Sequence, residues 1–228
     1  MQAISEYLHE HAEWIADYER EEKLMGTTAK NTGTEFPKAP AGTHVARCCW
    51  VIDLGTQTTE WMGKKKKQPK ILIAWELSNE LMDDGRPFTV SNRYTLSLFE
   101  QAVLRQHLES WRGKSFTEDD VNGGFDVKNI LGAYCMLNII HKQSNGKTYA
   151  NVGGVMTLPK GMPKPPKINP DIYFSTDDFA GFEDLPEWIR GIVERSEEYK
   201  DRHGIQEAPP SDDNGFPEEA GDLDDVPF

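Results

Sequence analysis

The densest group of cations in the chain is a run of four lysines, Lys64, Lys65, Lys66 and Lys67. Lys70 follows this run and Trp61 precedes it. Ammonium groups neutralise phosphates and flat rings stack on bases, and sequence-tolerant binding of single-stranded nucleic acid uses this combination. Turn-forming residues from Gly63 to Pro69 predict that the run lies in a turn between two strands. We therefore expect a loop that clamps phosphates, although a basic turn that only contacts solvent has the same composition.

Two arginines, Arg47 and Arg93, fall on the first and third predicted strands. Neighbouring side chains of a strand point to opposite faces of the sheet. Tyr94 shares a face with the apolar Leu96, so we expect Tyr94 in the core and Arg93 in solvent. Both arginines are candidate contacts for phosphate.

Two tyrosines, Tyr134 and Tyr149, lie on later predicted strands, and Lys147 lies in the hairpin beside Tyr149. Each ring faces away from the apolar neighbours on its strand. Each can therefore stack on a base or complete the core, and the pattern leaves both alternatives open. Lys147 is a further candidate phosphate contact.

The last residues combine acids with an apolar tip. Residues 204–228 carry eight Asp or Glu and no Lys or Arg. A phenylalanine fits a small hydrophobic pocket, a carboxylate pairs with Arg or Lys, and flanking acids steer toward a basic rim. We expect a partner-binding tip, and the alternative is a solvated tail that ends in Phe by chance. The tip residues are Asp222, Asp224, Asp225, Val226, Pro227 and Phe228.

Catalytic motifs are lacking, which argues against an enzyme. Gly113-Lys114-Ser115 resembles the end of a phosphate-binding loop, but Leu108 occupies the position of its first glycine. The six histidines and three cysteines show no metal-ligand spacing. Paired acids such as Asp83-Asp84 fall in predicted loops without a Lys or His partner. We therefore expect no catalytic residue, no metal and no cofactor, and a metal-dependent nuclease built from distant carboxylates is the least favoured alternative.

The charge is distributed unevenly along the chain. The formal net charge is −13, and the two acidic ends account for it, so the middle is neutral to basic. No apolar run approaches the roughly 20 residues that a membrane-spanning helix needs. An odd number of cysteines without a secretion signal favours a reducing cytoplasm.

The pattern of strands and turns predicts a mainly β fold. The β-rich runs are His44–Leu54, Thr56–Met62, Lys70–Ser78, Phe88–Leu98, Ile130–His141 and Lys147–Thr157. A helix over Phe99–Arg112 ends at Gly113, and an extended loop over Lys114–Asn129 follows it. If the first two runs are one long strand folded back near Gly55, the order is three strands, a helix and two strands. This is the order of the five-stranded Greek-key barrel known as the OB-fold.

Flanking segments complete the predicted organisation. The N-terminal segment has helical apolar periodicity with an acidic opposite face, and a second short helix with a buried stripe that includes Trp188 follows a Pro/Lys-rich linker. The predicted segments are an acidic amphipathic helix over 1–25, a lead-in over 26–41, the OB-fold domain over 42–157, the linker over 158–170, a short helical extension over 171–203 and a disordered acidic tail over 204–228.

The C-terminal tip resembles that of bacterial and phage single-stranded DNA-binding proteins, which ends Asp-Asp-Asp-Ile-Pro-Phe. Here Val226 replaces the isoleucine and Leu223 interrupts the acids. Segments such as Pro40–Arg47 and Lys147–Val152 also resemble the OB-fold members from tailed phages. The resemblance covers about 42–157 and the last eight residues, and the N-terminal acidic helix departs from it.

The resemblance implies a protein that coats single-stranded DNA cooperatively and recruits replication, recombination or repair proteins through its tip. A monomeric and an oligomeric barrel are both compatible with the sequence. The alternative function is a protein-interaction module or recombination mediator whose barrel mainly contacts proteins.

Overall fold

The computed structural model describes residues 37–61, 64–144 and 146–205. Within these ranges, the side chains of Glu60, Trp61, Lys64 and Ser144 are not described. The predicted N-terminal helix, most of the lead-in and nearly all of the acidic tail lie outside the described residues.

The described part of the chain is mainly β and forms one six-stranded sheet. The order of the strands in the sheet is β3-β2-β1-β4-β5, with antiparallel neighbours, and β6 adds to β1 in parallel. The mainly β class is confirmed, as is the succession of three strands, a helix and two strands. The strands are β1 Gly42–Trp61, β2 Lys64–Leu81, β3 Pro87–Thr95, β4 Tyr134–Ser144, β5 Lys147–Thr157 and β6 Ile172–Phe174.

In the described part of the chain, four short α-helices accompany the sheet: α1 Val103–Arg112, α2 Glu118–Gly123, α3 Glu187–Val193 and α4 Glu197–His203. The predicted stop of α1 is confirmed, because Gly113 adopts a left-handed φ of 68° there. The predicted extended loop before β4 is wrong, since α2 and a 3₁₀ turn over Val127–Ile130 occupy it. A capping box between Thr117 and Asp120 starts α2.

The first strand does not fold back near Gly55, as the sequence pattern suggested. Instead, β1 continues for 20 residues, and its register with β2 shifts between Asp53 and Gly55. Gly55 has a φ of +68°, which glycine adopts at little cost. The β1–β2 ladder then extends to the pair Trp61↔Lys64. The lysine run is therefore part of strand β2 and not a turn.

One face of the sheet encloses the main core. Along the predicted run Lys70–Ser78, the sequence pattern places Ile71, Ile73, Trp75 and Leu77 on one face, and all four are buried in this core. Helix α1 closes it with Leu104, Leu108 and Trp111. Val103, which the periodicity placed on the apolar side of the helix, is 54% exposed.

The other face of β1 and β2 is covered by the C-terminal segment. Leu72 and Ala74 of β2 pack in a second core with Phe174, Ile189 and Val193. Residues 171–203 are thus integral to the sheet and are more than a peripheral extension. The expected single helix is two helices, α3 and α4, separated at Ser196, whose hydroxyl accepts the Tyr199 N–H. Trp188, predicted to be buried, is 50% exposed.

A buried ion-pair network joins this segment to the sheet. Arg47 is 2% exposed, and its Nε donates to Glu76 Oε1 at 2.6 Å. Its other nitrogens donate to Asp171 Oδ1 and to the Asn169 carbonyl. The fully buried Glu76 also accepts the Asn169 N–H at 2.6 Å. Burial acts against the charge of Arg47, but Asp171 and Glu76 outweigh it and raise the guanidinium pKa.

Two further contacts fasten α4 to the bulge of β1. Glu198 accepts both the backbone N–H and the hydroxyl of Thr56 at 2.7 Å. Burial opposes the charge of Glu198, but these hydrogen bonds hold its pKa below the ordinary value. A β-carbon at Gly55 would lie 2.6 Å from the Ser196 side chain, so this close approach requires glycine.

We expect Arg47→Met to lower the free energy of unfolding by about 3–5 kcal/mol, because it leaves the buried Glu76 carboxylate without its cation. Urea unfolding followed by circular dichroism measures this loss. Lys167→Gln is the matched control: it removes the exposed partner of Asp171 and should cost about 1 kcal/mol or less.

The double variant Arg47→Met/Glu76→Leu should recover part of the loss, because no uncompensated charge remains buried. It also provides a folded reference if the single variant does not fold. An Arg47→Met cost as small as that of Lys167→Gln would contradict a central role for the network.

Candidate nucleic-acid interface

Arg47 was predicted to contact phosphate from an exposed strand face, and this prediction is corrected by its burial. All three polar groups of its guanidinium bond within the protein, to Glu76, Asp171 and Asn169. The prediction rested on the position of Arg47 on the first strand, and residues 169–171 cover its side chain there. Arg47 is a structural residue in this conformation.

The lysine run lies on the long β1–β2 hairpin. Lys65, Lys66 and Lys67 are exposed, and Lys66 is directly opposite Thr59. Lys67 Nζ lies 2.5 Å from Glu197 Oε2 of α4. Since side chains alternate along a strand, neighbouring lysines of the run point to opposite faces and do not form a single clamp. Lys65 and Lys66 therefore extend the positive surface of the hairpin, while Lys67 also contacts the C-terminal helix.

Lys70 lies further along β2 and is half-buried. Its Nζ donates to Thr95 Oγ1 of β3 at 2.8 Å. Burial, and then the charge of Lys66, lower the pKa of Lys70. This lysine is less available to a phosphate than its neighbours in the run.

On β3, Arg93 is exposed and Tyr94 is buried in the main core, as the sequence pattern predicted. The Tyr94 hydroxyl lies 2.9 Å from Nδ1 of His107 on α1. Leu72 is the cross-strand partner of Arg93 and is buried in the second core. Arg93 therefore lies at the edge of the covered face.

The β4–β5 hairpin brings a ring and cations together. Tyr149 is 47% exposed, and its cross-strand partner is Lys142. Lys147 is two residues before Tyr149 on the same strand and is exposed. Partners directly opposite each other and residues two apart share a face. One face of this hairpin therefore presents a tyrosine ring between two lysines, of which Lys142 was not among the predicted site residues.

Tyr134 lies at the opposite end of the β4–β5 ladder from this hairpin. It is half-buried, and its hydroxyl donates to the Pro165 carbonyl at 2.8 Å. The ring lines a surface groove together with Lys160 and Lys164 and is not part of the main core, so its stacking on a base stays a prediction. The structure therefore does not bring Tyr134 together with Tyr149.

A sequence feature identifies the cations that motif analysis missed. Residues 127–170 contain six lysines and no Asp or Glu. This stretch covers β4, β5 and the linker after them, so it includes the hairpin cations Lys142 and Lys147 and the groove lysines Lys160 and Lys164. A search for stretches free of acids, in place of a search for clustered bases, would have found Lys142, Lys160 and Lys164.

The described residues contain no group of three or more His, Cys, Asp or Glu side chains that could hold a metal ion. Cys48, Cys49 and Cys135 are unpaired and fully buried. Burial raises the pKa of Cys49 to about 12 and also raises the pKa of Cys48 and of Cys135. Among the described helices, none is long and apolar enough to cross a membrane.

Comparison of the chain with models of protein families and with curated proteins gave no match.

We expect the three thiols to be unreactive in the native protein at roughly pH 8, because only the thiolate attacks and burial suppresses it. A colorimetric thiol reagent should detect no thiol in the native protein and three after unfolding in urea. A cysteine that reacts quickly in the native protein would reveal an accessible nucleophile and contradict the burial of all three thiols.

Proposed function

We propose that this protein binds single-stranded DNA without sequence preference and without catalysis, through a partly open OB-type barrel. The proposal places its activity in phage DNA replication, recombination or repair, in the cytoplasm of a bacterial host. Its acidic tail recruits partner proteins.

The strand arrangement supports an OB-type barrel. OB barrels have five antiparallel strands with a helix between the third and fourth, and they bind oligonucleotides with strands 2 and 3 and with the loops that join strands 1–2 and 4–5. The exposed lysines Lys65 and Lys66 lie on the β1–β2 hairpin, and Lys142 and Lys147 lie on the β4–β5 hairpin. Both hairpins that carry cations here are therefore the ones that OB barrels use.

The face of β2, which OB barrels use for binding, is covered in this protein. In this protein the C-terminal segment covers Leu72 and Ala74, which leaves Arg93 of β3 as the exposed cation beside it. A bound strand would accordingly contact the two hairpins and the edge of β3 more than the middle of β2. The covered face favours binding along the rim of the barrel.

The observation that carries the proposal is the exposed ring of Tyr149 between Lys142 and Lys147. Stacking on an aromatic ring is tolerant of sequence, because every base has a flat face, and the flanking ammonium groups neutralise the phosphates on either side. A ring that is 47% exposed contributes little to the core, so its position is better explained by a ligand than by packing.

The role of the tail is inferred from its sequence, since Asp222, Asp224, Asp225, Val226, Pro227 and Phe228 lie outside the described residues. Phe228 supplies the apolar anchor and the acids supply the attraction to a basic rim on a partner. The same acids are tethered near the lysines of the barrel, where their effective concentration is on the order of millimolar. We propose that they compete with DNA there.

We expect Tyr149→Ala to weaken binding of an oligothymidylate by about 1–3 kcal/mol, the usual contribution of one stacked base. Tyr149→Phe, which keeps the ring, should bind as the wild type does. Fluorescence anisotropy with labelled single strands measures both affinities, and a duplex of the same length tests the preference for single strands.

Circular dichroism of the two variants controls for folding, which should be unaffected because the side chain is exposed. If the wild type binds duplex and single strands equally, or if Tyr149→Ala binds as tightly as Tyr149→Phe, the proposed stacking role is wrong.

We expect deletion of residues 222–228 to raise the affinity for single strands at low salt, because it removes competing negative charge. The gain should shrink at higher salt, where the screening length falls to about 10 Å at 0.1 M. Phe228→Ala keeps every acid, so its DNA affinity should be unchanged, while recruitment of replication or repair proteins should be lost.

Phe216→Ala is the matched control for this prediction, because Phe216 also lies among acids and precedes a proline. Quantitative pull-downs with wild type and both variants measure recruitment, and anisotropy measures DNA binding. Equal recruitment by Phe228→Ala and Phe216→Ala would show that the tip is not the recognition element.

A further inference from the structure

A groove lies where the end of α1, the start of β4 and the segment after β5 meet. Its volume is about 670 Å³, within the range of roughly 300–1,000 Å³ that small-ligand pockets occupy. We name it the Tyr134 groove. Its side chains include Trp111, Arg112, Phe125, Tyr134, Lys160 and Lys164.

The lining of the Tyr134 groove is cationic and apolar. None of its residues is acidic, whereas Arg112, Lys160 and Lys164 all contribute to it. Lys160 and Lys164 are exposed and belong to the stretch without acids that ends at Pro170. A site with this lining attracts a ligand that combines negative charge with a flat or apolar part.

Arg112 provides an independent indication of an anionic ligand. Its guanidinium lies 4.1 Å from the ring centre of Phe116 and 5.3 Å from that of Phe125. Its Nη2 lies 3.8 Å from Asp120 Oδ2, beyond hydrogen-bond distance. Its Nη1 is buried and has no hydrogen-bond partner among the described residues. An unsatisfied buried donor on a charged group is costly, and because Arg112 lines the groove, a shift of its guanidinium toward an anionic acceptor there would satisfy it.

The aromatic floor of the groove is held in place before any ligand binds. The Tyr134 hydroxyl donates to the Pro165 carbonyl, and Trp111 Nε1 donates to the Tyr134 carbonyl at 2.9 Å. Lys164 Nζ lies 5.4 Å from the centre of the Tyr134 ring. The ring is therefore fixed, while the cation above it is on an exposed side chain that can move to a phosphate.

We propose that the Tyr134 groove binds a nucleotide of the single strand, with the base against the aromatic floor and the phosphate near Arg112, Lys160 and Lys164. This inference rests on the proposed function and adds a second contact region to it. An acidic peptide also carries negative charge, but the continuity of the β4–β5 ribbon with the cationic hairpin favours a nucleic acid.

The distance between the two regions gives the proposal a measurable consequence. Tyr134 and Lys142, the cross-strand partner of Tyr149, are eight residues apart on β4, and eight residues of strand span about 26 Å. For a strand stacked as in a duplex, with about 3.4 Å per phosphate, this distance corresponds to about eight nucleotides. A short oligonucleotide can therefore occupy the hairpin or the groove, and only a longer one can bridge both.

The test compares Lys160→Gln/Lys164→Gln in the full-length chain with Arg86→Gln/Lys114→Gln. Arg86 and Lys114 are exposed and lie outside the groove, so the control removes the same charge. Binding of oligothymidylates of about 5 and about 20 nucleotides is measured by anisotropy over a range of salt concentrations. Because each neutralised phosphate contributes about 0.7 to the slope of log K against log salt, the groove variant should lose about 1.4 for the longer strand.

For the longer strand, the slope of log K against log salt should change much less in the control Arg86→Gln/Lys114→Gln than in the groove variant. For the shorter strand, the groove variant should keep most of its affinity, because the hairpin remains. Photo-crosslinking of a bromodeoxyuridine oligonucleotide to the wild type, followed by peptide mass spectrometry, should label Tyr134 or its neighbours in the groove as well as Tyr149.

Three results would overturn the proposal, and they are distinguishable. If single strands bind but the slope is unchanged and crosslinks map only to the hairpin, the groove is not a DNA contact and the proposed function stands. If the wild type binds no single-stranded DNA, both proposals fall together. If the groove variant loses only the binding of a synthetic peptide of residues 204–228, the groove binds the acidic tail.

Discussion

The packing of the C-terminal segment depends on the buried guanidinium of Arg47. A charge at 2% exposure is tolerated only if its hydrogen bonds are satisfied, and its partners come from three places: Glu76 on β2, the Asn169 carbonyl and Asp171 after the linker. Such a network adds little net stability compared with apolar packing, but removing one member leaves a buried charge without compensation. The linker is therefore bound at its end, and residues 171–203 must lie on the sheet.

This arrangement decides which surfaces of the sheet remain open. The second core, with Phe174, Ile189 and Val193, covers the face of β1 and β2 that an OB-type binder would otherwise offer to a ligand. Exposed cations remain on the two hairpins, among them Lys65, Lys66 and Lys142. The proposed path of DNA runs along the rim because the C-terminal segment covers the face of β1 and β2.

The distribution of charge is consistent with this division of roles. Residues 127–170 carry no acids, although the chain as a whole is strongly acidic, and they form the β4–β5 ribbon and one wall of the Tyr134 groove. Repulsion between the acidic ends and a nucleic acid is local, because screening limits it to about 10 Å at 0.1 M salt. A chain with a large negative net charge can therefore keep a positive surface for a polyanion.

Local features follow from residues that are neighbours in the chain. These features are the alternation in β2, the exposure of Arg93 beside the buried Tyr94, the stop of α1 at Gly113 and the bounds of β5, and all agree with the structure. The burial of Arg47, the second core and the position of Tyr134 in a groove depend instead on long-range packing. Each of these arises between segments far apart in the chain, such as Arg47 and Asp171. A periodic pattern shows which face a side chain occupies, but it does not show which remote segment covers that face.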